Sequence, residues 1–584
     1  MSTPIVATAV LIDGFDAFMT ERKIVLVPPW SRDPPRPSCW AQGHGNGYKD
    51  QRIRAGKPPQ MESMNTHIQE RRPLTGHRTA PSATGAGHRR ISSHGAAWAG
   101  RARHAPKRDA RVLMITEGTY PYAVGGVSSW CEVLIGGLDE MQWQILPVVA
   151  GGRRMRQRFT LPSNARLLRP IELWSEQRAP RRMARGDKRP DVSLPIRLLR
   201  GLMPWRGDID DLTEALVRCR EYPQTIRPEF RARDNWKEYL WALDDVLGER
   251  HDDSAPAPVF DAIEAARLYQ TLYWVARTAA VPTPPCELLH VTAAGWAAIP
   301  ALVHKALHGT PLLLTEHGVY VREAYLASVR EAAMTPGQGH ISPRLALGLT
   351  RATYAAADVI APVTEANAAW ERGLGVDPAK IRVIPNGIRP PTERTDPPNA
   401  RKVIAMGRID PLKDVQTMLL VADEVTRRMP DARFEYWGPA TAGQETYARA
   451  CTQMHEQLQL GDRFRFMGRT SDPHGVIRSG DLVLMTSISE AMPMALLEAM
   501  AQSRPAVATS VGGVPGVLRG CGIIAPPGDV HALATAVVTL LGNPELAANL
   551  GRRGFERLHR RYTLARCLTG YRDLISGLIG EAAA

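Results

Sequence analysis

From about residue 110 to its end, the chain alternates short apolar runs with longer stretches of helical period. Residues 111–116, 288–292, 311–315, 358–364, 403–406 and 481–485 are short, mostly apolar and bounded by turn residues, so they read as buried parallel strands. Helical patterns follow several of them, at residues 299–307, 414–428 and 495–500. Strand and helix in alternation predict an α/β fold with parallel sheets. The proline-rich stretch 390–398 interrupts the alternation as a linker does. It divides a first Rossmann-like domain, 110–388, from a second, 401–560, with residues 389–400 between them. Residues 151–282 break the pattern within the first domain and carry helical stretches at 236–247 and 260–278, which predicts a helical insertion. Residues 561–584 are amphipathic and helical, and either cross back to the first domain or simply end the chain.

Size and composition limit the possibilities. At 584 residues the chain exceeds the usual single-domain ceiling of about 250–300 residues, in keeping with two domains. No run approaches the roughly 18 consecutive apolar residues of a membrane span. The early apolar run 4–12 lacks a basic leader and meets Asp13, so a soluble cytoplasmic protein is expected. Seven scattered cysteines fit reduced thiols better than a disulfide framework or a zinc site.

Much of the net charge of +14 lies at the front. Residues 1–109 hold 17 Lys plus Arg against 8 Asp plus Glu, with abundant Pro, Gly and Ser, and read as a basic, disordered segment. Aromatic residues do not interleave with its charges, so no nucleic-acid partner is expected.

The candidate chemistry sits at strand ends. Glu490 and Glu498 bracket a strand-loop-helix junction in which Met492 and Pro493 lead into strong helix formers. In open α/β sheets nucleotides bind at such junctions, although a solvated pair of helix glutamates would read the same way. Arg408 and Lys413 flank the turn after the strand 403–406, where two cations and a helix start suit a diphosphate, or are plain surface charge. Gly125 and Gly126 precede a helix led by Val127 and Ser128, so the backbone can approach an anion closely there. His317 follows the strand 311–315 beside Gly318 and is either a substrate contact or a satisfied structural histidine. Asp208-Ile209-Asp210 has the form of a metal-binding acidic triplet, but with no strand before it and Asp211 after it, a helix start is the better reading.

Taken together, the run from Arg408 to Lys413, the pair Glu490 and Glu498, Gly125-Gly126 and Asn386-Gly387 resemble a retaining, nucleotide-sugar-dependent glycosyltransferase of family 4. That family has the GT-B fold, two Rossmann-like domains facing an interdomain cleft, and the resemblance covers roughly residues 110–580. Residues 117–122, 125–130, 315–320 and Gly438-Pro439 with Tyr447 and Cys451 are similar to the PelF-type transferases of Pel exopolysaccharide synthesis.

The resemblance implies transfer of a hexose or N-acetylhexosamine, uridine diphosphate being the implied carrier, to a growing glycan acceptor. Glu498 would accept hydrogen bonds from the ribose hydroxyls, Arg408 and Lys413 would stabilise the leaving diphosphate without a metal or other cofactor, and Gly125 and Gly126 would cap the phosphates. Glu490 would face the transferred sugar, with Met492 and Pro493 in the same donor-binding loop, and His317 would contact the donor sugar or orient the acceptor. An enzyme nucleophile and front-face attack guided by the leaving phosphate both remain open. Ala491 and Met492 depart from the family's usual glycine and its aromatic or polar residue, which bears on the choice of sugar. The alternatives are a catalytically weak sugar-nucleotide-binding subunit docked on a membrane-embedded polysaccharide synthase complex, at the inner face of the membrane, and a nucleotide-sugar epimerase.

Overall fold

The computed structural model describes residues 109–151, 155–175, 192–203, 207–248, 262–334, 341–441 and 443–583. The basic segment, apart from Asp109, lies outside the described residues.

Two parallel sheets organise these residues. The first contains β1 (Arg111–Glu117), β2 (Gln142–Ala150), β3 (Ala165–Leu167), β4 (Ile171–Leu173), β5 (Leu288–Val291), β6 (Leu312–Glu316) and β7 (Val359–Pro362). Their order is β3-β2-β1-β5-β6-β7, with β4 also on β2. The second contains β8 (Lys402–Met406), β9 (Arg433–Trp437), β10 (Phe464–Gly468), β11 (Leu482–Met485), β12 (Ala506–Thr509) and β13 (Gly522–Ala525), in the order β10-β9-β8-β11-β12-β13. In each sheet the winding reverses beside one central strand, between β1 and β5 and between β8 and β11. Loops leaving the carboxyl ends of those strands diverge there and open a crevice.

The apolar runs form strands because both faces of each sheet are covered. β11 is buried at every position, as are β5, β6, β7 and β12. A buried Asp481 fixes the register at the start of β8, accepting from the backbone N–H groups of Ala400 at 3.2 Å and Lys402 at 2.8 Å. Buried Arg504 donates to the carbonyls of Thr395, Gln502 and Arg478, each at 2.7 Å, and so fastens the proline-rich connection to the second domain.

The stretch 151–282 differs from its reading as a helical insertion. Its first part belongs to the sheet, since β3 and β4 pair in parallel with β2 through Trp143↔Ala165 and Val148↔Ile171. Three-residue strands are too short for alternation to reveal them. Helices Leu194–Leu202, Ile209–Glu221, Pro223–Arg231, Arg233–Gly248 and Ala262–Ala279 follow. They share a core with Ile299, Leu302 and Val303 of the helix after β5. Asp208 caps the second of these helices, accepting from Asp210 N at 2.9 Å and Asp211 N at 3.0 Å.

The final helix, Leu564–Ala583, packs against the first sheet. Tyr571 and Ile575 are fully buried among residues of β1, β2 and the helix Gly126–Gly137. Arg572 donates to Glu140 at 2.6 Å. The crossing point is Asn386-Gly387, where Gly387 lies so close to Thr563 that a Cβ would come within 2.4 Å of its carbonyl oxygen. Among the described residues, no helix is long and apolar enough to cross a membrane.

Candidate functional site

The crevice between β8 and β11 gathers most of the residues singled out from the sequence. Beyond β8 the chain makes a short 3₁₀ turn, Pro411–Lys413, capped by the Asp410 carboxylate on Leu412 N at 3.0 Å. The next helix, Val415–Arg428, starts from Asp414, which has φ of 46° and accepts from Thr417 N at 3.2 Å. This turn is stitched to the end of β11. Thr486 Oγ1 donates to the carbonyls of Lys413 at 3.0 Å and Asp414 at 2.9 Å, and Ile488 N donates to Leu412 O at 2.9 Å. Loops from two central strands are therefore one rigid unit, which sets the side chains they carry.

That unit brings Lys413 and Glu490 together. The Lys413 ammonium donates to Glu490 Oε1, and Ser487 Oγ donates to the same oxygen at 2.7 Å. The Glu490 side chain is 10% exposed, which strengthens an ion pair by excluding water from it. Arg408 lies at the same end of β8 but is exposed, and among the described residues its guanidinium makes no ion pair or side-chain hydrogen bond. It stands free to meet a ligand's anion.

Glu498 lies in the second turn of the helix Met494–Ala501. Burial raises its pKa, with His474 acting in the opposite sense. The half-buried carboxyl has no hydrogen-bond partner among the described residues and is open to a donor from a ligand.

Met492, expected from the sequence in the donor-binding loop, turns its side chain into the core. Its side chain is buried, and Sδ accepts from the backbone N–H of Asn386 at 3.2 Å, so it ties the loop to the crossing point. An apolar thioether in a loop of polar residues is drawn to the nearest core. Buried Pro493, without an N–H, fits the cap position before the helix Met494–Ala501.

The first domain faces this unit. Gly125 and Gly126 are exposed at the start of the helix Gly126–Gly137, and a Cβ on Gly126 would lie 3.7 Å from Met494 Cγ. The two helix starts therefore oppose each other across the crevice. His317 is on the first-domain side, its ring 4.4 Å from that of Trp130 at 73°. Burial pushes its pKa down to about 4, and its Nε2 is shielded from solvent with no hydrogen-bond partner among the described residues. The imidazole is neutral at physiological pH. No hydrogen bond joins His317 to Glu490 among the described residues.

Several contacting residues carry no sequence pattern of their own. Arg322 Nη2 donates to Glu323 Oε1 at 2.9 Å and to Ser489 Oγ at 3.0 Å, and Ser489 Oγ donates to Glu323 Oε1 at 3.0 Å. This triangle joins the domains one residue from Glu490. Behind His317, Glu316 is fully buried and accepts from Tyr354 Oη at 2.6 Å and Tyr320 N at 3.2 Å. Burial raises the pKa of both carboxyls, and the neighbouring Glu316 adds to the rise of Glu371 to about 9, so the pair holds a proton. The nearness of Arg322 and Glu323 to His317 in the chain was the only available cue; Glu371 offered none.

Comparison with known proteins bears on this geometry. Residues 400–543, which contain Arg408, Lys413, Glu490 and Glu498, match the family described as glycosyl transferases group 1. The second domain is thus similar to the group 1 glycosyl transferases. Residues 110–379 match a domain of unknown function, DUF3492. Over 288 residues the chain is 28% identical to D-inositol 3-phosphate glycosyltransferase 2 of Catenulispora acidiphila, covering 46% of this chain and 64% of that protein. Over 128 residues it is 30% identical to N-acetyl-alpha-D-glucosaminyl L-malate synthase of Bacillus anthracis, covering 21% of this chain and 34% of the relative. The chain thus spans a third to just under two thirds of these curated relatives. Sucrose-phosphate synthase of Thermosynechococcus elongatus superposes with a TM-score of 0.51 at 17% identity, covering 81% of this chain and 100% of that one. Together with the two parallel sheets, this gives the two domains a GT-B fold.

Proposed function

We propose that this protein is a retaining glycosyltransferase that moves a hexose or N-acetylhexosamine from a uridine diphosphate sugar to a growing glycan in exopolysaccharide synthesis. The observation that carries the reading is the Lys413–Glu490 pair. A cation and a carboxylate are locked together at the switch point of a domain similar to the group 1 glycosyl transferases, with exposed Arg408 at the end of the same strand β8 and Glu498 on the helix that follows Glu490. The narrower assignments, PelF-type kinship, uridine as base and the exopolysaccharide setting, rest on the sequence resemblance at residues 117–130 and 315–320.

In this reading the bond from the sugar's anomeric carbon to the β-phosphate oxygen breaks, and a bond from that carbon to an acceptor hydroxyl oxygen forms. The acceptor's proton passes to the departing phosphate, and the nucleoside diphosphate leaves. Arg408 and Lys413 meet the charge that develops on the leaving group, a preorganised electrostatic contribution that requires no metal or other cofactor. Glu490 is held by Lys413 and Ser487 to face the sugar, and Glu498 receives the ribose hydroxyls. Neutral His317 serves as a hydrogen-bonding contact, since a group with a pKa of about 4 is a poor base near pH 7. Exposed Trp241 and Ile263 on the insertion helices are where contact with a membrane polysaccharide synthase would be sought.

The test is incubation of the purified protein with uridine, adenosine and guanosine diphosphate sugars in the presence of oligosaccharides. Formation of a glycoside with the donor's anomeric configuration, lost in Glu490→Ala, is expected. Binding without turnover would make the chain a sugar-nucleotide-binding subunit, and an altered sugar without an acceptor would make it an epimerase.

A further inference from the structure

At the carboxyl end of β4 stands an exposed tryptophan in a backbone conformation that its side chain disfavours. Trp174 has φ of 62° and is 46% exposed. Bulky residues rarely occupy the left-handed region, and such strain persists where the surroundings impose it, often at ligand sites. Here two further indoles impose it. Trp274, on the insertion helix Ala262–Ala279, meets the Trp174 ring at 5.6 Å and 63°, and Trp296, in the loop after β5, meets it at 5.7 Å and 74°. Both contacts are edge-on, which props the ring in place while much of its surface stays open to solvent.

The cluster is also tied to the rim of the crevice. The Glu117 carboxylate, at the end of β1, accepts from Ala297 N at 3.1 Å and so pins the loop that carries Trp296. Its other oxygen accepts from Tyr320 Oη at 3.0 Å, and two residues beyond Tyr320 is Arg322, which reaches Ser489 beside Glu490. Glu172, two positions before Trp174 on β4, is exposed. A flat, half-exposed aromatic face suits a pyranose, which offers C–H groups to the ring.

We propose that Trp174, backed by Trp274 and Trp296, is a stacking platform for a pyranose unit of the glycan acceptor, set away from the reacting end. The proposal rests on the glycosyl-transfer reading and commits the acceptor to an oligosaccharide long enough to reach from Glu490 to β4. The probes are β-1,4-linked gluco-oligosaccharides and N-acetyl chito-oligosaccharides of one to six units, tested as acceptors and as quenchers of intrinsic tryptophan fluorescence. KM in the wild type should fall with chain length, and the longer members should quench. Trp174→Ala should raise KM for the long acceptors about five- to tenfold, leave KM for the monosaccharide unchanged, and abolish the length dependence, with Trp174→Phe restoring most of it. The melting shift given by uridine diphosphate separates a folded variant from a collapsed one. If the wild type transfers sugar but Trp174→Ala keeps the length dependence, or if no oligosaccharide quenches, the platform is wrong while the transferase reading stands. If the wild type transfers nothing and quenching still grows with length and requires Trp174, the platform stands and the transferase reading fails.

Discussion

The Lys413 ammonium and the Glu490 carboxylate, 77 positions apart in the chain, form an ion pair at the point where the second sheet changes winding direction. Neither is positioned by its own loop alone. Thr486 and Ile488 bind the two loops together, so displacing one displaces the other.

Replacing Lys413 with Met should therefore do two things at once. It removes a cation from the leaving group and releases Glu490, and transfer should fall about 10²- to 10³-fold with a cooperative melt retained. Because the two groups act as a unit, Lys413→Met combined with Glu490→Gln should be much less than multiplicative, as read in a double-mutant cycle of kcat/KM. Multiplicative losses would mean that the pair is incidental.

Gly512 supports the same loop from below. It has φ of 49°, and a Cβ there would fall 1.6 Å from the Glu490 carbonyl oxygen, so Gly512→Ala must move the loop. A loss of about 1–3 kcal/mol in stability is expected from the backbone strain, with a larger proportional loss of transfer. Gly516, where a Cβ would meet nothing within 4 Å, is the matched control, and its Ala variant should behave as the wild type in both assays.

The Glu316–Glu371 pair predicts an unusual pH dependence. Glu371 rises from an ordinary value of 4.5 to about 9 in the folded state, which holds its proton across that window while the unfolded chain gives it up. Stability from this group is present at low pH and declines as pH rises from about 4.5 towards 9. In urea titrations at pH 5 and 7.5, below the range of thiol ionisation, Glu371→Gln should remove this decline and gain relative to the wild type as pH rises. Parallel slopes for the two proteins would show that the proton is not held.

His317 works in the opposite direction. Its folded pKa of about 4 lies below the ordinary 6.5, so the unfolded state takes up a proton first and stability is lost as pH falls from about 6.5. His317→Gln should lessen that acid loss. The pH profile of kcat/KM should show no inflection lost on this substitution between pH 5.5 and 8, because the imidazole is neutral throughout. An inflection near 6.5 that disappears in His317→Gln would give His317 an acid–base role.

The strands and the loops that carry Lys413 and Glu490 were legible because their signals are local. Buried parallel strands are apolar at every position, and Lys413, Glu490 and Glu498 each stand at a strand end or helix start that can be read from a dozen neighbours. β3 and β4 escaped because three residues show no period. The triangle of Arg322, Glu323 and Ser489 escaped because its members lie about 166 positions apart and meet only when two domains face each other. Glu371 carries no sequence pattern of its own, and only the tertiary structure brings it near Glu316. For a related reason, nothing local says that the Met492 side chain turns towards Asn386.

Release of uridine diphosphate from a uridine diphosphate sugar in the presence of an oligosaccharide, compared between the wild type and Glu490→Ala, tests the central claim most directly. The wild type should release the nucleotide as glycoside forms, and Glu490→Ala, folded and still binding uridine diphosphate, should be slower by about three orders of magnitude. Equal rates in the two proteins, or no release by the wild type from any nucleotide sugar, would contradict it.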